Sequence, residues 1–212
     1  MPTPDSSAAE RPTRSRNRRG EGGRLRQDIL DAATALIERE GGATNLSLRQ
    51  LAREAGISAP SVYAHFTDLD DVVDTVLNGF FDQLRDAIAA ANAAEADPVA
   101  ALHAGCGAYT RFALDHPGRY RALFDRRPTG PDATPSRPVP VRTDVFQTLV
   151  DAVATCAAAG RSATTEPFAD AAAIWAALHG AVLLRLSVPG FPWPDLPVFT
   201  EALVTRTGLI TD

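Results

Sequence analysis

The chain has 212 residues, 45% of them hydrophobic and 22% charged, which is ordinary for a globular protein and enough for a small domain and a larger one. Its longest apolar run, residues 171–184, falls short of the roughly 20 residues that cross a bilayer, and the N-terminus has no apolar export segment. The two cysteines lie in alanine- and glycine-rich helical sequence, which suits buried thiols in a reducing cytoplasm better than a disulfide framework, so we expect a cytoplasmic protein without a membrane segment. The formal net charge is −5.

An arginine-rich segment opens the chain. Residues 1–26 hold seven arginines against three acidic residues, so a local charge of +4 precedes a charge of −9 in the remainder. Because residues 1–23 also lack the apolar side chains that a fold requires, we predict a disordered arm there.

The next segment predicts a helix over residues 24–40, ended by the pair Gly41-Gly42. Its apolar residues recur at helical spacing and form one stripe, which can pack against the segments that follow. The stripe consists of Ile29, Leu30, Ala33, Leu36 and Ile37.

Two short helices joined by a tight turn are predicted over residues 44–66. Ser47 is placed to cap the first helix through its hydroxyl. Gly56 supplies a left-handed turn conformation, which a residue with a Cβ resists by about 1 kcal/mol or more. Ser58 is placed to cap the second helix. Two caps around one glycine indicate a helix-turn-helix.

The outer side of the second short helix carries small residues at its tip. Val62 and Phe66 lie one turn apart and must face the core, which leaves the tip free to approach base edges. Tyr63 and His65 can then donate to phosphates. The alternative is a helical hairpin inside a bundle, with both side chains merely on its surface. The residues that we expect to contact DNA are Ser47, Arg49, Ser58, Ala59, Pro60, Ser61, Tyr63 and His65.

This run resembles the helix-turn-helix of the tetracycline-repressor (TetR) family of bacterial transcription regulators. One position departs from the family pattern, since Leu69 stands where the family carries a lysine that reaches the DNA backbone. The arm over residues 1–23 then either supplies phosphate contacts or is a passive solvated tail. The matching residues are Ser47, Leu48, Leu51, Ala52, Ala55, Gly56, Ile57, Ser58, Val62, Tyr63, His65 and Phe66, with Ile29, Leu30, Ala32 and Ala33 in the preceding helix.

The remaining sequence predicts six further helices and no strand, so the protein should be all-α with about nine helices. The resemblance implies a DNA-binding domain over residues 24–67 and a larger domain for effector binding and dimerisation over residues 68–212. Five prolines predict a surface loop over residues 127–140. The further helices are expected near residues 68–88, 98–116, 120–124, 141–159, 166–187 and 195–208.

The eighth helix combines a bulky face with a smooth face of alanine and glycine. A helix that packs inward on one side and against a two-fold mate on the other needs both, so we expect a homodimer through helices eight and nine. The alternative is a helix wholly internal to one subunit. The segment from Trp175 through His179 to Gly180 also resembles the Trp-x-x-x-His-Gly signature of one TetR subgroup.

A ligand cavity is expected among helices four to eight. Aromatic side chains would line it, a few polar groups would orient the guest, and a mostly apolar guest would suit it. Plain core packing is the alternative for each residue. The expected lining is Phe80, Phe81, Leu84, His103, Cys106, Tyr109, Phe112, Phe124, Phe146, Trp175 and His179.

Catalysis is not expected. His103 and Cys106 are one turn apart, but the other histidines lack the pairing for zinc, and no phosphate loop, nucleophile elbow or carboxylate dyad occurs. We expect no metal and no cofactor. The resemblance implies a homodimeric, ligand-responsive regulator, a repressor in the simplest case, that binds a palindromic operator on double-stranded DNA and is released by a small effector. A DNA-binding protein without an effector and an α-helical enzyme are the alternatives.

Overall fold

The structure is a computed structural model that describes residues 21–44, 46–124 and 142–211. Nine helices and no strand occur among these residues, which confirms the all-α prediction. The proline-rich segment over residues 127–140 and most of the arm over residues 1–23 lie outside the described residues. The helices are α1 (Glu21–Glu40), α2 (Leu48–Glu54), α3 (Ala59–Val62), α4 (Leu69–Ala93), α5 (Pro98–Asp115), α6 (Pro117–Phe124), α7 (Thr143–Ala158), α8 (Pro167–Ser187) and α9 (Leu196–Thr207).

The first three helices form a small head with a common core. The apolar stripe of α1 packs there against Leu51 of α2, Val62 of α3 and Phe66, and all of its residues are buried except Leu30, which is partly buried. The Ser47 hydroxyl accepts from the backbone N–H of Gln50 at 3.3 Å, which confirms this residue as the cap of α2. Helix α3 ends at Val62, so the second motif helix is shorter than expected.

The turn between α2 and α3 has the predicted geometry at its glycine but not at its second cap. Gly56 has φ +66°, the left-handed region that a Cβ disfavours. Ser58 stands before α3 as predicted, yet its side chain accepts no backbone N–H. The Ser58 hydroxyl lies instead 2.7 Å from the Ser61 hydroxyl. The local side-chain pair therefore replaces the expected cap.

Helix α4 begins in a reciprocal cap and runs from the head into the larger domain. Asp68 Oδ1 accepts from the Asp71 N–H at 2.8 Å, and Asp71 Oδ2 accepts from the Thr67 N–H at 2.9 Å. Its 25 residues bury one apolar face along most of their length. A single helix therefore belongs to the cores of both domains.

Helix α6 joins the larger domain to α1 at close range. A Cβ on Gly118 would lie 2.9 Å from the Glu38 Cα and 3.0 Å from the Ile37 carbonyl oxygen, so only glycine fits without displacement. Arg119 Nε donates to Glu38 Oε1 at 2.6 Å, and Arg119 Nη1 donates to Gln83 Oε1 at 2.7 Å. Helix α6 is thereby tied to α1 and α4 together.

Helix α5 is central in the larger domain and packs against α4, α7, α8 and α9. Helix α8 buries Ile174, Leu178 and Val182 on its inner side and exposes Leu183 and Leu184. By length and composition α8 would suffice to cross a membrane, a test that core helices of globular domains also pass. Its packing against α5, α7 and α9 is typical of such a domain.

Candidate nucleic-acid interface and ligand cavity

The residues expected to contact DNA lie on α2, on α3 and in the turns beside them. Ser47, Arg49, Ser58, Pro60 and Tyr63 are exposed, whereas Ala59, Ser61 and His65 are half-buried. Tyr63 is 58% exposed, although it stands next to the fully buried Val62. The small residues and the two ring side chains are therefore open to a partner on the outer side of the head.

Salt bridges decide which arginines of the head are free to meet a polyanion. Arg39 holds Glu54 through two hydrogen bonds, of 3.1 Å and 3.0 Å, and the hydrogen bond from Arg39 lowers the pKa of the Glu54 carboxyl. Arg26 lies over the Phe66 ring, 5.0 Å from its centroid. Arg49 forms no ion pair with another described residue, so its guanidinium is available to phosphate oxygens.

A cavity of about 640 Å³ lies between α4, α5, α7 and α8, with the end of α6 at one side. Its wall is overwhelmingly apolar, which suits a small-molecule site. The predicted residues that line it are Phe81, Leu84, Cys106, Tyr109, Phe124, Phe146 and Trp175.

Four other residues expected in the lining lie elsewhere. Phe80 precedes Phe81 by one residue, so its side chain points about 100° away around α4. It lies in the core, under the guanidinium of Arg119. His103 Nε2 lies 3.1 Å from the Thr205 hydroxyl, on the side of α5 that faces α9. Phe112 packs against the His116 ring. His179 lies behind the wall, with its Nδ1 3.4 Å from Tyr109 Oη, which belongs to the lining, and 2.6 Å from Tyr120 Oη, which does not.

Five polar residues of the described wall were not predicted from the sequence: Asn92, Arg142, Thr143, Gln147 and Thr148. Asn92 continues the stripe of Phe81, Leu84 and Ile88 at helical spacing, a signal that could have revealed it. Its Oδ1 is buried without a hydrogen-bond partner among the described residues, and the amide packs against Gly105, where a Cβ would force it to rotate away. No local signal marks Arg142 as a wall residue, because the partner that ties it to α4, Asp82, is 60 residues away in sequence.

Arg142 is the charged residue among the described lining residues, and two carboxylates hold its guanidinium. Its Nη2 lies 2.9 Å from Asp82 Oδ1 and 2.8 Å from Asp144 Oδ2, while its Nε donates to Asp144 Oδ1 at 2.9 Å. The group also lies over the Phe81 ring, 5.8 Å from the centroid. The hydrogen bond from Arg142 lowers the pKa of Asp144 to about 2.

Four side chains form a hydrogen-bonded chain at the wall. Trp175 Nε1 donates to Tyr109 Oη at 3.2 Å, the hydroxyls of Tyr109 and Tyr120 lie 2.7 Å apart, and Tyr120 Oη lies 2.6 Å from His179 Nδ1. Burial raises the pKa of Tyr109 to about 12 and lowers the pKa of His179. All four groups are therefore neutral near neutral pH. Tyr120 belongs to α6, so the chain connects the cavity to the helix that contacts α1.

The thiol in the wall is unreactive. Cys106 is buried, and burial raises the pKa of its thiol to about 12, so the nucleophilic thiolate is scarce near neutral pH. No group of three metal-ligating side chains occurs within residues 21–44, 46–124 and 142–211. The arrangement offers shape, apolar surface and neutral hydrogen-bonding groups.

Two family models match this chain. The model described as "Bacterial regulatory proteins, tetR family" matches residues 29–76, which include α2, α3 and the start of α4. The model described as "Tetracyclin repressor-like, C-terminal domain" matches residues 102–207, which is half of the chain. The chain belongs to the tetR family.

Relatives of this tetR family regulator agree with the assignment. An uncharacterised HTH-type transcriptional regulator of Mycobacterium tuberculosis, Rv0681, is 32% identical over 168 residues, which are 76% of this chain and 70% of that protein. A protein of unknown function from Rhodococcus sp. RHA1 is similar in structure, with a TM-score of 0.67 and 27% identity over 91% of this chain and 95% of that one. A TetR family transcription regulator from Marinobacter aquaeolei VT8 shares the fold at 16% identity, with a TM-score of 0.63 over 90% of this chain and 97% of that one.

The tetR family assignment gives the two surfaces their general roles. The protein is a transcription regulator with a DNA-binding domain that contains the helix-turn-helix and a ligand-binding domain that contains the cavity. The narrower subgroup with the Trp-x-x-x-His-Gly signature stays a prediction from sequence.

Proposed function

We propose that this tetR family regulator is a cytoplasmic repressor that binds a palindromic operator as a homodimer and leaves it when a small, mostly apolar effector occupies the cavity. The observation that carries the proposal is a roomy apolar cavity whose wall shares α4 and α6 with the contact to the DNA-binding head. Such a cavity serves binding rather than catalysis, since it presents neutral hydrogen-bonding groups and an inert thiol.

For DNA contact, the proposal assigns the exposed surface of α2 and α3. The small residues Ala59, Pro60 and Ser61 would let the start of α3 approach base edges. Tyr63 and His65 would donate to flanking phosphates, with Ser47, Ser58 and Arg49 adding further backbone contacts. Leu69 stands where the family has a phosphate-binding lysine, so that contact would be missing here. The arginines of residues 1–23 would then contribute a larger share of the DNA affinity.

For assembly, the proposal assigns the outer sides of α8 and α9. Leu183, Leu184 and Val188 follow one another along the exposed side of α8 and its end, and Val198 of α9 is 64% exposed. An apolar surface of this kind on two adjacent helices supports an isologous four-helix contact between two copies. The two heads would then meet successive major grooves on one side of the DNA.

For control, the proposal uses the helices that both domains share. A guest that fits best when α4 is tilted favours that state and changes the separation of the two heads. A tenfold loss of operator affinity requires the guest to bind the tilted state about 1.4 kcal/mol more tightly. Such a difference is small compared with the apolar surface that a guest would bury in the cavity.

The experiment has two stages. Fragments of the source genome that the purified protein retains are sequenced, and the enriched sequence is used as a labelled operator. Compounds that raise the thermal stability of the DNA-free protein are then titrated into the operator complex. The proposal expects an enriched inverted repeat and release of the operator by at least one stabilising compound. An operator complex that survives saturation with every such compound contradicts the effector role.

A further inference from the structure

The charge balance at the cavity wall favours a neutral guest. The Arg142 guanidinium already meets the carboxylates of Asp82 and Asp144, and Arg85 pairs with Asp82 and Asp86 at 2.9 Å each, so two cations face three anions. A carboxylate guest would have to take Arg142 from partners that are already paired and hydrogen-bonded. The described wall therefore offers such an anion no unpaired cation, and an unpaired charge in an apolar cavity is unfavourable.

The chain of polar side chains at the wall has a preferred direction. The Trp175 indole N–H can only donate, so Tyr109 Oη accepts it. The Tyr109 hydroxyl then donates to Tyr120, and Tyr120 donates to an unprotonated His179 Nδ1. Each polar hydrogen from Trp175 to Tyr120 has an acceptor in this arrangement. If Tyr120 donates to Tyr109 instead, the Tyr109 O–H has only His179 Nδ1 as an acceptor among the described residues, at 3.4 Å, and the 2.6 Å hydrogen bond from Tyr120 to that nitrogen is lost, which is unfavourable.

This direction decides which polar group of a guest fits. Tyr109 Oη accepts one hydrogen bond and donates one, which leaves one lone pair for a donor on the guest. A hydroxyl can donate to it and extend the chain unchanged. An ether or a ketone can only accept, so it must take the Tyr109 O–H away from Tyr120, which either breaks that hydrogen bond or reverses the chain back to His179 and moves the proton of that ring. A carboxylate lacks both the donor and the counter-charge.

We infer that the effector is a neutral molecule with an apolar body and one hydroxyl group, and that Tyr109 recognises that hydroxyl. The inference rests on the proposed role of the cavity and narrows its ligand class. Tyr109 is the specificity-determining residue, while Tyr120 and His179 act through it as positioning residues. The same hydrogen-bonded chain reaches Tyr120 of α6, so the hydroxyl of the guest would lie close to the helix that contacts α1.

The test uses four probes that share one apolar body: para-hexylphenol, para-hexylanisole, para-hexylbenzoate and hexylbenzene. Isothermal titration calorimetry on the full, DNA-free chain near neutral pH gives the dissociation constant of each. We expect the phenol to bind about fivefold more tightly than the anisole and the hydrocarbon, the gain of one hydrogen bond. The dissociation constant of the benzoate should be at least about tenfold higher than that of the phenol.

Variants assign the preference to the chain. Tyr109→Phe should abolish the advantage of the phenol over the anisole, and a circular-dichroism melt confirms that it folds. If it does not fold, Tyr120→Phe serves, because the Tyr109 O–H then lacks its acceptor and the phenol-to-anisole ratio falls. The matched control is Cys106→Ala, which alters the same wall outside the chain and should keep the ratio.

Each contrary outcome overturns the inference. Equal affinities for the phenol and the anisole would show that the cavity does not recognise a hydroxyl. Tightest binding of the benzoate would show that a cation of the wall faces the guest. If none of the four probes binds, the inferred ligand class is wrong. A phenol preference that survives in Tyr109→Phe overturns the role of that residue. Operator release is measured separately, so a phenol that binds without releasing DNA contradicts the proposed function and leaves the ligand class intact.

Discussion

The close contact between α6 and α1 can be tested by adding one methyl group. In Gly118→Ala the new Cβ would lie 2.9 Å from the Glu38 Cα, 3.0 Å from the Ile37 carbonyl oxygen and 3.1 Å from the Glu38 carbonyl oxygen. All three are backbone atoms, so no side chain can rotate away, and α6 must move from α1 by about half an ångström or more to restore ordinary contact distances. Overpacking of this kind costs about 1–3 kcal/mol.

A second glycine provides the matched control. Gly79 lies in α4 and a Cβ there would meet nothing within 4 Å. Gly79 lies inside α4, so Gly79→Ala should gain about 0.5–1 kcal/mol from the better helix propensity of alanine and be slightly more stable than the parent protein. Gly118 is the second residue of α6, where this gain is smaller. The free energy of unfolding of Gly118→Ala should lie about 1–3 kcal/mol below that of Gly79→Ala.

Urea denaturation followed by far-ultraviolet circular dichroism measures both free energies. The two variants are compared at one protein concentration, because association would otherwise shift the midpoints. If Gly118→Ala proves as stable as Gly79→Ala, the two helices do not approach as the structure has them, and the connection between cavity and head through α6 fails.

Three further outcomes are expected. Ser47→Ala should lower the free energy of unfolding by about 1 kcal/mol in urea melts, and Ser58→Ala by clearly less, because only the first side chain caps a backbone N–H; an equal loss contradicts this. Tyr63→Ala, 58% exposed, should change stability by less than about 0.5 kcal/mol. The same variant should weaken operator binding in mobility-shift assays about tenfold or more, the worth of a hydrogen bond to phosphate, and an unchanged affinity removes it from the interface. The hydrogen bond from Arg142 lowers the pKa of Asp144 from 3.8 to about 2. The ionised Asp144 therefore stabilises the folded state fully above pH 3.8, and this stabilisation is lost as the pH falls to about 2. The difference in unfolding free energy between the parent and Asp144→Asn should narrow over that range, and a constant difference contradicts the pairing.

The head could be predicted because its signals are local. Helical spacing of apolar residues, the cap at Ser47 and the glycine at position 56 each act within a few residues, and each has the expected geometry. The cap at Ser58 was wrong in its chemistry for an equally local reason. A hydroxyl three residues on, at Ser61, competes for the same oxygen, and sequence does not rank the two partners.

The cavity could be predicted only in part because its wall depends on distant contacts. The apolar spacing on α4 identified Phe81 and Leu84, but it did not separate Phe81 from the adjacent Phe80. His103 points to Thr205, 102 residues away, and Arg142 meets Asp82 from 60 residues away. Which face of a helix meets which neighbour is decided by packing between elements, and periodicity alone leaves it open.

The central claim, that two heads held together by α8 and α9 bind one operator, is tested most directly by footprinting the enriched genomic fragment and measuring the mass of the complex. Two protected half-sites with centres about 34–36 Å apart on one face of the DNA, and two chains per operator or a multiple of two, are the expected result. Protection of one isolated half-site by a single chain, or protection without sequence preference, would contradict the account.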